Sequence, residues 1–578
     1  MRRLALAALC AALALADARA DDELGFVYVT SNVGEASGGH AALVADGSVY
    51  HLQNADADLL LLVRDGWSAF HLVYAVLENR PLAVALLDVT PEVTERAQRS
   101  FARLYVEQQL ELAKRESLRD DVRWLEAFAA DRPTPPLRGA GLLAPGAPED
   151  PDAARLRDLI GSDSLAELRA AAERAVDELT RAGDPTRLEA LRESLLVREA
   201  ARALLGAWGL DPRAVAQLPA DADEPLTEAE RAGLEEWAAS QERAVAELVR
   251  SSRPDRGYAL LLAQARQLAA RRSLATNRLV LLDAFESHAP ESLEPEDVAD
   301  FVRQKRREDA AALLRKGRRS VLASVQVEEA NFNLLEEVAS IVLREGRADA
   351  AGMLSELGMR KLPARGRGLE SPPFSGDLGA ALAGARERLS AQDETLRKRW
   401  SYELMTRNCI TLLARTTDDA FGGEAELERA LGAAASPDDR TFGFIPFVFF
   451  DRVRERLRVS RVEPVPSHMQ KELARVFAES PGALTRARES TAYTSTIYQP
   501  LLRDSAFLLF TDDVFWRRPA YGFVNLFFGL GFTTYGVAAL PFDGGVRAKA
   551  GLEGVMWSVP ELAFVNVRKG SFDWVAPD

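Results

Sequence analysis

His40-Ala41-Ala42-Leu43-Val44-Ala45-Asp46-Gly47-Ser48-Val49-Tyr50-His51 is the stretch that decides how this chain is read. Two apolar runs of strand-forming residues flank Asp46-Gly47. A two-residue turn of that type needs positive φ at both positions, so the pattern predicts a β-hairpin. Ala45 then opposes Ser48, Ala42 opposes His51, and His40 opposes Gln53. Side chains alternate between faces along a strand, so His40, Ala42, Val44, Val49, His51 and Gln53 share one face. His40 and His51 become diagonal neighbours about 7–8 Å apart at Cα, within reach of two ring side chains. The whole chain has five histidines, so two on one hairpin face is a pointed coincidence.

The flanking sequence extends the β pattern. Phe26 to Val29 reads as a short apolar strand, followed by a glycine-rich loop from Ser31 to Gly39. Trp67 to Glu78 reads as helix and Leu82 to Val89 as another apolar strand. From Pro91 to residue 130 the periodicity is helical, and Asp131 to Pro151 is a Pro- and Gly-rich loop. Residues 153–395 are dominated by Ala, Leu, Glu and Arg. Ser164 to Ala182 and Thr227 to Ser251 carry apolar residues at helical spacing opposite charged faces. After Ser490 the chain turns aromatic and reads as β-like.

A chain of 578 residues exceeds one hydrophobic core, so two or more units are expected. Arg2 and Arg3, the apolar run Leu4 to Leu15, and Ala18-Arg19-Ala20 form a signal-peptide pattern ending before Asp21. The apolar run is too short to span a bilayer. Cys10 lies inside that run after Leu9, which argues against a lipoprotein signal. The expectation is a periplasmic or secreted protein. Net charge is −15, and about −17 after processing, which disfavours nucleic acid as a partner.

Removal of residues 1–20 leaves one cysteine, Cys409. A lone thiol in an oxidising compartment is either a small buried hydrophobe or a reactive group. Its context favours reactivity. Asn408 is a strong N-cap residue, so Cys409 falls on a first helical turn running to Ala420. There the backbone dipole favours thiolate, and free N–H groups can hold an oxyanion. A base must face the sulfur, and another polar group must orient the base. His40 fills the first role. His51 fills the second, with Gln53 as the competing choice. The chemistry would be thiolate attack on an ester, thioester or amide carbonyl. A zinc site of His40, His51 and Cys409 is chemically allowed but lacks tight ligand spacing, so no metal is expected. No phosphate-cradling glycine loop or dinucleotide fingerprint occurs, so no cofactor is expected. His71 reads as a packing or surface residue, and His288 and His468 as surface residues. The pairs Asp418-Asp419 and Asp512-Asp513 read as solvated or capping.

The run from His40 to His51, followed far downstream by Asn408-Cys409, resembles the circularly permuted papain-like group. That group includes the lecithin:retinol acyltransferase family and bacterial relatives of the NlpC peptidases. The long helical stretch and the signal peptide are most similar to the Lnb-type periplasmic domain, which is associated with lipoprotein N-acylation. The resemblance covers residues 25–90 and 395–425 and carries over Cys409, His40 and His51 only. It implies an α+β fold: a permuted papain-like catalytic unit, antiparallel sheet plus Cys-bearing helix, interrupted by a large all-helical insertion. The division is residues 21–95 and 396–460 for the catalytic halves, 96–395 for the insertion, and 461–578 for a C-terminal extension. The expected function is cysteine-dependent acyl transfer or hydrolysis in the bacterial envelope, on lipid, lipoprotein or peptide. Alternatives are a peptidoglycan amidase or endopeptidase, and a non-catalytic helical scaffold or binding protein. The uncharged run Pro519 to Pro541 is long enough to cross a membrane. It also fits a buried helix pair, Gly-rich strands, contact with a membrane surface or an apolar groove for an acyl chain.

Overall fold

The computed structural model describes residues 23–30, 39–285, 313–345 and 361–562, except 56–58, 79, 147, 217, 219–223, 325, 404–406, 423, 436–444, 490–493, 497–504 and 507–517. The signal-peptide pattern of residues 1–20 with Cys10, residues 31–38 of the expected glycine-rich loop, His288 and Asp512-Asp513 lie outside the described residues. The chain divides into two compact units. The first is built from the chain up to Glu111 and from Leu396 onward, the second from the chain between.

The first unit holds a six-stranded antiparallel sheet. Its strands are β1 (Leu24–Val29), β2 (His40–Ala45), β3 (Ser48–Ala55), β4 (Leu59–Gly66), β5 (Leu82–Leu87) and β6 (Val459–Val465). They lie side by side in the order β4-β3-β2-β1-β5-β6. Asp46 and Gly47 take φ of 48° and 68°, the left-handed pair a tight hairpin requires. The register is the one expected, with Ala45 opposite Ser48 and Ala42 opposite His51. β4 goes beyond the sequence pattern: Leu59 to Val63 is an unbroken apolar run without alternation, because its outward positions are covered as well. Leu62 N–H donates to Gln108 Oε1 at 2.8 Å, and Gln108 Nε2 donates to Leu60 O, so one side chain satisfies the edge of this strand.

One face of the sheet carries Leu24, Phe26, Ala41, Leu43, Tyr50, Leu52, Leu60 and Leu62. Against it pack α2 (Pro91–Ala129) through Ala97 and Phe101, α10 (Cys409–Asp419) through Ile410, Leu413 and Ala414, and α12 (Pro446–Arg456) through Phe449. Phe26 meets Phe449 edge-on at 5.4 Å between centroids. The other face carries α1 (Trp67–His71), which continues as one π-helical stretch, Leu72–Leu77, beside β3 and β4. Sequence-distant segments therefore complete one sheet and one core: β6 pairs with β5 across more than 370 residues of chain. Two boundaries differ from the sequence division. The first half extends to Glu111, since the start of α2 belongs to this core, and residues 461–465 belong to a sheet strand.

The second unit is helical. It contains α3 (Pro151–Ile160), α4 (Ser162–Ala182), α5 (Leu188–Leu205), α6 (Glu228–Arg250), α7 (Arg256–Thr276), α8 (Glu329–Glu345) and most of α9 (Leu378–Trp400), with the end of α2. Local signals set the helix ends. Asp150 accepts from Asp152 N–H and Ala153 N–H, and Thr227 forms a capping box with Glu230. Leu195, Leu204, Leu261 and Leu268 are core residues, and buried Arg266 is met by Glu336 and Asn333.

The C-terminal part corrects the β-like expectation. After α11 (Glu424–Leu431), α12 and β6 come α13 (His468–Glu479) and α14 (Ala483–Glu489). The aromatic segment forms α15 (Arg518–Asp543) and α16 (Val546–Leu562). Its glycines and aromatics are compatible with strands by local preference, but helix–helix packing decides the outcome.

Candidate active site

The hairpin brings the two imidazoles together: His40 Nε2 and His51 Nδ1 are 3.1 Å apart, with the rings edge to face. His51 is fully buried, and its Nε2 lies 3.0 Å from Oδ2 of buried Asp65 on β4. A carboxylate only accepts, so His51 Nε2 carries the proton. With His51 in its neutral form, its Nδ1 accepts from His40 Nε2–H, and Nδ1 of His40 is then the nitrogen left with a lone pair. The chain Asp65–His51–His40 thus sets one tautomer and aims one basic nitrogen. Burial, then His51, then the Arg80 guanidinium hold the His40 pKa well below 6.5, so the ring is neutral near pH 7.

Aromatic packing fixes this arrangement. Tyr74 stacks on His40 with centroids 5.4 Å apart, and Phe70 meets His51 edge-on at 5.1 Å. Tyr74 Oη lies 3.4 Å from His51 Nδ1, and Gln53 Nε2 donates to Tyr74 Oη at 3.4 Å. Burial pushes the Tyr74 phenol far up. Arg80 packs over the Tyr74 ring and donates to Thr30 O and Glu78 Oε2. His51, not Gln53, is therefore the group hydrogen-bonded to His40. Asp65 and Tyr74 were not visible as partners in the sequence. A signal for Asp65 did exist: it precedes Gly66 at the end of an apolar run, as Asp46 precedes Gly47. Once β4 pairs with β3 so that His51 opposes Val63, Asp65 falls on the His51 face.

Cys409 opens α10 as expected. Asn408 caps it, accepting from Ile410 N–H and Thr411 N–H at 2.9 Å each, while Thr411 Oγ1 accepts from Asn408 N–H. Two of the helix-start donors are thus taken by the cap, which leaves the Cys409 N–H as the one to hold an oxyanion. This corrects the expectation of several free donors. The expected thiolate is corrected as well. Burial pushes the thiol up to about 11, outweighing the N–H groups of Ile410 and Cys409. Tyr402 lies nearby, its phenol raised by burial and then by negative charge at Cys409.

Thiol and imidazoles share an end of the sheet but not a face. Ser401 bridges to Leu59 at the start of β4, the end that also holds His40 and Gln53. Arg407 returns to Ser401 through its guanidinium, two residues before Cys409. The helix that Cys409 opens lies on the Leu43 and Tyr50 face, whereas His40 and His51 point to the Phe70 and Tyr74 face. Among the described residues no hydrogen bond joins the Cys409 sulfur to either ring. His71 lies tilted against Trp67, and Asp418 accepts from Ala435 N–H, which ties a connecting segment back to the end of α10. Comparison with protein families, curated proteins and solved structures found no match to this chain.

Proposed function

We propose that the protein is an exported, cysteine-dependent acyl-transfer enzyme of the cell envelope, with a permuted papain-like catalytic unit. Its substrates are lipids, lipoproteins or peptides. Cys409 is the nucleophile, His40 the general base and His51 the residue that orients it, with Asp65 behind His51. The carrying observation is the hydrogen-bonded line Asp65–His51–His40, which ends on an unprotonated imidazole nitrogen at the sheet end where Cys409 begins its helix. A buried carboxylate–imidazole–imidazole line has the polarity needed to accept a proton and stabilise the resulting charge.

The reading carries a specific requirement. With the thiol up at about 11 and His40 held neutral, no thiolate–imidazolium pair exists at rest. Proton transfer from the thiol to His40 must accompany attack, which requires the two groups to meet around the sheet end in the substrate complex. The carbonyl–oxygen or carbonyl–nitrogen bond then breaks, and the departing alcohol or amine takes the proton from His40. The acyl group rests on Cys409 as a thioester until water or an amine, deprotonated by His40, takes it and releases the thiol. A rival reading, a non-catalytic scaffold, draws support from the helix of Cys409 lying on the sheet face opposite the imidazoles and from the raised pKa of the thiol.

The test is acyl trapping. The full chain is incubated with diacyl phospholipid, with a diacylated lipopeptide and with a peptidoglycan peptide, then measured by intact mass. The proposal expects a hydroxylamine-labile adduct on Cys409 with one of these, lost in Cys409→Ser and reduced at least a hundredfold in His40→Ala. Absence of any adduct from all three, or its persistence in Cys409→Ser, overturns it in favour of the scaffold.

A further inference from the structure

We infer that α15 and α16 form a helical hairpin that embeds in a lipid bilayer, with the Gly544-Gly545 turn leading. The inference stands on the hairpin itself and does not depend on the catalytic reading.

The first observation is inverted polarity. Within Pro519–Asp543 only 22% of the most apolar 18-residue stretch is buried, although no Asp, Glu, Lys or Arg occurs from Pro519 to Pro541. Large apolar side chains point outward: Phe523, Phe527, Leu530, Val537 and Phe542 on α15, and Leu552 on α16. Phe542 is 76% exposed. The polar side chains Asn525, Ser558 and Glu561 instead turn inward and are buried. A core helix of a water-soluble unit hides its apolar residues and exposes its polar ones; α15 does the reverse.

The second observation is how the helices touch. Gly522, Gly529 and Gly536 repeat every seven residues along one stripe of α15 and face the α16 backbone. A Cβ on Gly529 would stand 2.8 Å from Val555 N, and one on Gly522 would stand 2.9 Å from Leu562 N. On α16, Gly551 meets Thr533. Close backbone contact through small residues is how helices associate when apolar side chains gain nothing by leaving their surroundings, the situation inside lipid. The hydroxyls are satisfied within the helix as well: Thr533 and Thr534 donate to Gly529 O and Leu530 O.

Length and charge placement agree with this. At 1.5 Å per residue α15 is about 39 Å long, against a hydrocarbon core of about 30 Å. At the turn Asp543 pairs with Arg547 at 3.5 Å, which fits a headgroup layer at the end of the apolar run. Lys549 and Glu553, 3.7 Å apart, lie further along α16, level with Thr533 and Gly529 on α15, where a long lysine stem has to carry its charge toward the interface. A second copy of the chain could also cover an apolar face, but the outward residues run along α15 opposite the glycine stripe from Phe523 to Phe542, and a bilayer covers such a surface over its whole length.

The test is flotation of the full chain with phosphatidylcholine vesicles in 1 M NaCl. The inference expects co-flotation, because neutral lipid and high salt remove electrostatic attraction. Lysine at Phe527 and Leu530 together should shift the protein to the unbound fraction, each substitution lowering partition roughly a hundredfold. Leu484→Lys, at an exposed apolar site elsewhere, should leave flotation unchanged. Far-UV circular dichroism of each variant separates lost binding from lost folding. Three results overturn the inference: wild type staying unbound, flotation only with anionic lipid at low salt, or a detergent-free soluble dimer that accounts for the covered surface.

Discussion

Asp65→Asn removes one charge from the interior and changes almost no volume, so its consequences follow from hydrogen bonding alone. In the native protein the His51–Asp65 contact is 3.0 Å between two buried groups. A hydrogen bond to a charged partner contributes about 1.5–3 kcal/mol and a neutral one about 1. Asparagine can still accept from His51 Nε2–H through its oxygen, so the expected loss is about 0.5–2 kcal/mol, visible in urea unfolding. The larger effect is on proton placement. The amide can also present its NH₂ group, which favours a proton on His51 Nδ1. His40 Nε2 must then accept, its proton moves to Nδ1, and the basic nitrogen is lost. Histidine-selective ¹⁵N labelling with long-range ¹H–¹⁵N correlation reads each tautomer directly. The expected wild-type state of His40 is Nε2–H with bare Nδ1, and Asp65→Asn should give a mixture. Any acyl-transfer rate should fall by up to about 10⁴. A wild-type His40 protonated at Nδ1, or a His40 signal unchanged by Asp65→Asn, would refute the relay.

The remaining predictions rest on separate features. With a thiol up at about 11, Cys409 should react with iodoacetamide at pH 7 about a hundredfold more slowly than a small free thiol, and the rate should keep rising through pH 10; a rate equal to the free thiol excludes the buried resting state. Because the folded His40 pKa lies below its unfolded value of 6.5, its contribution to stability is present above pH 6.5 and lost as pH falls below it. Urea unfolding at pH 7.5 and pH 5.5 should show that loss, and His40→Gln should flatten it. Leu413→Ala should cost about 2–5 kcal/mol, since Leu413 is fully buried where α10 meets the sheet; a cost under 1 would mean the two chain halves do not share a core. Gly47→Ala should cost about 1–2 kcal/mol from its positive φ alone, because no atom lies within 4 Å of the added methyl; equilibrium unfolding that shows no loss would reject the left-handed turn.

Much of this was legible because it is local. Asp46-Gly47 fixes a turn, the turn fixes a register, and the register puts His40 and His51 on one face. Asn408 likewise marks the start of a helix through its own side chain. Asp65 was harder, because its place depends on how a third strand pairs, and Leu59 to Val63 lacks the alternation that would reveal a face. Tyr74 reaches the imidazoles from a π-helical turn, whose geometry no residue spacing in Trp67 to Glu78 announces. The aromatic tail shows the limit of propensity: Phe, Tyr, Val and Thr favour strands, yet the glycines at 522, 529 and 536 lie on one stripe only in a helix.

By itself, then, the amino-acid order determined the hairpin, its shared histidine face and the capped helix bearing Cys409, since each depends on contacts between near neighbours in the chain. Only the tertiary structure decided which face of the sheet α10 covers, that β6 completes the sheet, and that the half-buried Cys409 thiol is pushed above its ordinary pKa. Those outcomes are set by which distant surfaces exclude water together, and burial of that kind can reverse what the helix dipole alone would favour at Cys409.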